Sequence, residues 1–174
     1  MVRRNAFQCV SVEIRVNTEP CGIVMTAPTS STSLELCLRL TRAYAVLTRR
    51  LDNKLSSVHG LSFSDFMVLH SLSRAEGARL RRIDLAERMG LTASGVTRTL
   101  LPLEKIGLVG RESDPRDARV GYATLTSAGQ ELHGYALASA EAICREATQA
   151  VSEEQLASVL ELLGQLAGIN LSNA

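Results

Sequence analysis

The chain has 174 residues, of which 45% are hydrophobic and only 3% aromatic, with no Trp and with Leu and Ala recurring throughout. That is enough to bury one good core made mostly of helix packed on helix, and it argues against an all-β barrel. No apolar stretch approaches the ~20 residues needed to span a bilayer, and the N-terminus lacks an apolar signal core with a small-residue cleavage site, so a soluble, cytoplasmic protein with no membrane partner is expected.

The formal net charge of +1 hides a polarity. Residues 1–73 hold eight Lys/Arg against five Asp/Glu, residues 74–119 ten against seven, and residues 120–174 one against six. A basic middle followed by an acidic end suits a chain that turns one part to nucleic acid and the other to solvent or a second subunit. Cys9, Cys21, Cys37 and Cys144 form no C-x-x-C and have no histidine pair nearby. Neither a structural metal, a disulfide framework nor a cofactor is expected.

Residues 1–33 mix isolated charges with Val and Ile at no helical period and end in Ala27-Pro28-Thr29-Ser30-Ser31-Thr32-Ser33, which reads as a poorly ordered leader. Met25 opens a run of the kind that starts proteins, which makes residues 1–24 readable as an upstream extension. From Leu34 a long amphipathic helix is predicted, with Leu36, Leu40, Tyr44, Leu47, Leu51, Leu55 and Val58 at helical spacing and Gly60 as its stop. Arg39, Arg42, Arg49, Arg50 and Lys54 lie mostly off that stripe. Ser62-Phe63-Ser64-Asp65 is a capping box, and Phe66, Leu69 and Leu72 give a second, short helix its apolar face before the turn at Glu76-Gly77-Ala78.

Ile83, Leu85, Ala86 and Met89 carry a third helix that stops at Gly90. Thr92 caps a fourth that runs to Ile106, so Met89-Gly90-Leu91-Thr92 is the glycine-containing turn of a helix-turn-helix. Val96, Leu100 and Leu103 are predicted to face inward, leaving Ser94, Gly95, Thr97 and Arg98 outward on the first turns, where a major-groove helix makes its contacts.

The most informative stretch follows. Gly107 ends the fourth helix, Leu108-Val109 and Val120 to Leu125 suit strands, and Arg116 and Arg119 fall at the tip between them. A hairpin that offers arginine at its tip is built to touch an anion, and beside a helix-turn-helix that anion is DNA phosphate. Thr126 then caps a helix to about Ala150 whose buried side is predicted to include Leu132, Tyr135 and Ile143. Ser152-Glu153-Glu154-Gln155 opens a last helix with Leu156, Val159, Leu160, Leu163 and Leu166.

Taken in order, the long first helix, the helix-turn-helix, the Gly-Leu-Val strand entry, the Asp-x-Arg wing, the Leu-Thr-x-x-Gly return and the two closing helices resemble the multiple antibiotic resistance regulator (MarR) family over about Leu34 to Ile169. The resemblance implies a mainly α protein with a small β-wing. Residues 34–60 would be a dimerisation helix, 61–126 a winged helix-turn-helix DNA-binding domain, and 127–174 C-terminal dimerisation helices. It also implies a homodimeric regulator on a roughly palindromic operator, expected to be a repressor relieved by a small phenolic or other anionic aromatic ligand.

Carried onto this chain, the family's pattern makes Ser94, Thr97 and Arg98 groove contacts, Arg119 the wing arginine and Asp117 its orienting carboxylate. Arg116, Arg81 and Arg82 would add phosphate contacts. Arg39, Tyr44, His59, Phe63 and His70 are candidates to line the effector space. Leu101-Pro102 stands where the family more often has Asp-Arg, and a proline in a helix interior is expected to kink it. Ala118 replaces a second basic residue of the wing, and the third helix starts on Arg rather than on a good cap.

Two alternatives stay open. Cys37 lies near the place of the reactive thiol in the family's peroxide-sensing branch, which admits a redox regulator, although the tyrosines that activate that thiol are replaced here by Leu51 and the Ser62-Phe63 region. A winged helix can also serve as a protein-binding adaptor, for which Leu101 is the one obvious apolar contact. An enzyme is not expected, since the sequence holds no Ser-His-Asp order, metal-ligand cluster, nucleotide loop or close carboxylate pair.

Overall fold

The computed structural model describes residues 31–114, 120–166 and 168. Helix α1, Thr32–His59, begins two residues ahead of Leu34 because the Ser31 hydroxyl accepts a hydrogen bond from the Leu34 N–H and caps it. It ends at Gly60, whose left-handed conformation (φ 66°) returns its N–H to the carbonyls of the last turn. Helix α2, Phe63–Ser73, has the predicted capping box between Ser62 and Asp65. It buries Val68 as well as Phe66, Leu69 and Leu72, because it is the hub of the fold and packs on α1 and on the elements α3, α4, α5, β1 and β3 introduced below.

A short 3₁₀ turn, Glu76–Ala78, leads into strand β1, Arg79–Arg81, which sequence reading does not anticipate. Helix α3, Arg82–Met89, stops at Gly90, again left-handed, and helix α4, Ala93–Lys105, is capped by Thr92. Strands β2, Val109–Ser113, and β3, Gly121–Leu125, form the hairpin. The three strands make one antiparallel sheet in the order β1-β3-β2, with Leu80 opposite Ala123 and Val109 opposite Leu125. Helix α5, Ser127–Thr148, starts at the Thr126 cap, and helix α6, Glu153–Leu166, starts at the predicted box, where the Ser152 N–H donates to Gln155 Oε1 and the Gln155 N–H to Ser152 Oγ.

The core gathers Leu51 and Leu55 of α1, Phe66, Leu69 and Leu72 of α2, Leu85 of α3, Val96, Leu100 and Leu103 of α4, Ala123 of β3, and Ala136 and Ala140 of α5. Two expectations are corrected. Ile83 is 63% exposed, so α3 is held by Leu85 and Ala86, with Met89 packed at the margin. Tyr135 is 62% exposed, and the enclosed stripe of α5 is Gly129, against the Leu108 backbone, followed by His133, Ala136 and Ala140 on the side that meets α1 and α2. Helix α4 continues from Ala93 through Pro102 to Lys105, with residue 102 unable to give an N–H to the Arg98 carbonyl.

Much of the apolar surface of α1 and α6 is left uncovered by the described residues. Leu34, Leu36, Leu38, Leu40, Tyr44, Val46 and Leu47 are exposed on α1, as are Val159, Leu160, Leu162 and Leu166 on α6. Among the described residues no helix is long and apolar enough to cross a membrane.

Candidate nucleic-acid interface

Val96, Leu100 and Leu103 recur at helical spacing and fix one side of α4 in the core, so the opposite side of its first turns stands outward. Ser94 and Arg98 are exposed there, and Thr97 is half-buried with its hydroxyl donating to the Ala93 carbonyl at 3.0 Å. Thr92 Oγ1 accepts from the Gly95 N–H at 3.1 Å, which leaves the helix start well formed. Among the described residues no carboxylate pairs with Arg98. An unpaired guanidinium beside a helix N-terminus is an arrangement that attracts anions.

The hairpin pairs from Val109–Leu125 out to Ser113–Gly121, and the Asp114 N–H to Val120 carbonyl bond of 3.0 Å closes its described part. Arg116, Asp117 and Arg119 of the tip lie outside the described residues. On the sheet face away from the core, the Arg79 guanidinium lies 5.1 Å from the Tyr122 ring centre and 3.6 Å from Glu112. Arg81 is exposed, with Nε donating to Asp84 at 3.1 Å, and keeps a free face toward solvent. Arg82 has a different surrounding from the one expected: it is ion-paired to Glu104, with the two side chains only 20% and 19% exposed. It is therefore mostly enclosed, whereas Arg81 is open to solvent.

A cleft of about 680 Å³ opens between α1, α2 and the end of α3. Tyr44 and Phe63 line it, whereas Arg39, His59 and His70 do not. Arg39 is held on the outside of α1 by Glu35 at 2.6 Å, His59 Nε2 bonds to Ser139 Oγ of α5 at 2.8 Å, and His70 Nδ1 lies 3.1 Å from Nε2 of the buried His133. Both histidines thus face α5 rather than the cleft. Sequence reading missed Arg49, Met67 and Arg88, which complete the wall. The position of Arg49 off the apolar stripe was the available signal, but nothing in the sequence says which solvated arginine borders a cavity.

His70 and His133 stack with Phe66 at ring-centre distances of 5.6 and 5.7 Å. Burial holds the His70 imidazole below its ordinary range, helped by the Arg74 charge, and burial followed by the His70 charge does the same to His133. Cys37 is exposed on α1.

A helix-turn-helix followed by a three-stranded sheet with a protruding hairpin defines the winged-helix class of transcription regulator. Within that class the chain belongs to the MarR family, whose model matches residues 61–120. It is 30% identical over 138 residues to the HTH-type transcriptional regulator MhqR of Bacillus subtilis, across 79% of this chain and 92% of that protein. Among solved structures it is similar to Sco3205 of Streptomyces coelicolor, a MarR family transcriptional regulator in complex with DNA, at 28% identity and a TM-score of 0.73 over 79% of this chain and 91% of that one. AbsC of the same organism, also a MarR family transcriptional regulator, gives 28% identity and 0.71 over 80% and 95%. Fold and relatives are those of transcription regulators, not of enzymes.

Proposed function

We propose that two copies of this chain form a dimer that binds a pseudo-palindromic double-stranded operator and represses transcription until a small anionic aromatic ligand releases it. The observation that carries the reading is the outward first half of α4, with Ser94 and Arg98 exposed, and the β2–β3 hairpin that follows it, whose connecting sequence contains Arg116 and Arg119. In this reading Ser94, Thr97 and Arg98 enter a major groove. Arg119, oriented by Asp117, enters the neighbouring minor groove, and Arg116 and Arg81 reach phosphates. That Sco3205 was solved in complex with DNA supports the assignment.

The uncovered apolar faces of α1 and α6 support the dimer, since a run of exposed leucines on two long helices is a surface that a second copy would bury. Two recognition helices related by a two-fold axis would address half-sites about 10 bp apart. The cleft supports the effector: Phe63, Met67 and Met89 offer apolar contact to a ring, and Arg49 and Arg88 offer charge to a carboxylate or phenolate. It spans α1 and α3, so a ligand there would bias the placement of the recognition helix relative to the dimer helix.

The test is a fluorescence-anisotropy titration against the DNA immediately upstream of the chain's own gene, with unrelated DNA of equal length as competitor. Binding that resists the competitor and is reversed by salicylate or 4-hydroxybenzoate is the expected result. Binding that the competitor abolishes contradicts the reading of a specific regulator.

A further inference from the structure

We infer that Arg82 is a positioning residue for DNA binding: it clasps the end of the recognition helix to the base of the wing. The inference rests on the DNA-binding reading above and concerns a side chain that is mostly enclosed. Arg82 is the first residue of α3, and its guanidinium is ion-paired to Glu104 in the last turn of α4, 22 residues on. Its stem lies alongside Gly121, the first residue of β3, where a Cβ built on the glycine would come to ordinary contact distance, 3.6 Å from Arg82 Cδ and 3.8 Å from Nε. One side chain of α3 is therefore ion-paired to α4 and runs beside the first residue of β3.

Those contacts are placed where they matter for a two-groove reader. Residues 94 to 98 of α4 and the hairpin tip must reach adjacent grooves together, and the angle between helix and hairpin sets whether they do. The arrangement is also not the one that stability alone favours. Arg82 Nε is buried without an acceptor among the described residues, and a mostly enclosed ion pair is often matched or bettered by apolar residues of the same volume. What the charged pair adds over an apolar one is direction, since a guanidinium–carboxylate bond holds the start of α3 against the end of α4 in one geometry.

The experiment compares wild type, Arg82→Gln, Glu104→Gln and, as a direct-contact control, Arg98→Ala. Specific affinity is measured against salt on the operator DNA, and backbone hydrogen exchange is followed in the free protein. Glu104→Gln keeps an acceptor for Arg82 and so guards against simple misfolding. Arg82→Gln is expected to weaken specific binding about tenfold with an unchanged slope of log affinity against log salt, and to speed exchange within 109–125 while α2 and α5 keep their protection. Arg98→Ala lowers the slope instead, because it removes a phosphate or groove charge.

A slope lowered by Arg82→Gln would make Arg82 a direct DNA contact and overturn the inference. Unchanged affinity and exchange would overturn it as well, and so would exchange that rises evenly across the whole protein, the mark of a general stabiliser. If wild type does not prefer the operator, the DNA-binding reading fails, and the exchange comparison still decides whether Arg82 holds the wing.

Discussion

Gly129 lies directly against the carbonyl of Leu108: a Cβ built on Gly129 would stand 2.1 Å from that oxygen and 2.9 Å from Leu125 Cδ1. The same carbonyl accepts from the Thr126 N–H at 3.2 Å and from the Thr126 hydroxyl at 3.0 Å, and that hydroxyl in turn accepts from the Gly129 N–H at 3.0 Å. Leu-Thr-x-x-Gly is thus a physical joint. Thr126 caps α5 and ties it to the strand entry, and Gly129 lets the helix start sit on the backbone of the chain that enters β2.

Gly129→Ala should therefore cost about 3 kcal/mol or more, although alanine is the better helix former, because the backbone atoms it meets cannot move aside. Urea denaturation followed by circular dichroism measures this. An unchanged midpoint would contradict the close approach.

Ala78, at φ 51°, follows Gly77 at φ 63°, and two successive left-handed residues turn the chain into β1. Left-handed backbone costs a non-glycine residue about 1–2 kcal/mol, more than the unfolded-state entropy that glycine adds. Ala78→Gly should therefore raise stability by about 0.5 kcal/mol, the reverse of the usual sign for that exchange. A lower melting temperature for the variant would refute it.

His70 and His133 are both held below the ordinary imidazole value of 6.5, by burial first and by neighbouring positive charge second. The folded state thus binds fewer protons than the unfolded chain in the window below that value. The pair's contribution to stability is full above 6.5 and is lost as pH falls from there through the folded-state values. The groups facing the pair are Phe66, Ser73 and Arg74 from α2, and none of these is a carboxylate that would reverse the sign. Denaturation midpoints taken on either side of neutrality should fall toward acid in wild type and flatten in His70→Gln/His133→Gln. A wild-type midpoint that rises toward acid would show the sign to be wrong.

Leu36 and Leu160 stand for the two uncovered faces. Leu160→Arg should raise the dimer dissociation constant by about tenfold or more while leaving each copy folded, because Leu160 is 62% exposed and lies outside the core. Sedimentation velocity reads the mass directly, and a wild-type protein that is monomeric at micromolar concentration would contradict the proposed dimer.

The order and type of the helices could be read from the sequence because each end carries a local signal: the Ser62-Asp65 box, Gly90, Thr92, Gly107, Thr126 and Ser152. The outward side of α4 followed from helical spacing alone. Other features depend on what packs against what. Strand β1 is three residues long, and its Arg-Leu-Arg pattern becomes a strand only because β3 pairs with it. In α5 the large apolar residues point to a stripe through Tyr135, whereas packing selects Gly129, which lies on the Leu108 backbone, and Ala136 and Ala140, which lie in the core. His59 and His70 looked like ligands for a small molecule because their partners Ser139 and His133 come from 63 to 80 residues away.

The central claim is that the exposed start of α4 binds DNA through charge and groove contacts. Specific affinity for the upstream DNA, measured across roughly 50 to 200 mM salt in wild type and Arg98→Ala, tests it most directly. The account predicts a steep loss of wild-type affinity over that range and a weaker, flatter dependence in the variant. A wild-type affinity that does not change with salt, or an Arg98→Ala variant that binds as wild type does, would contradict it.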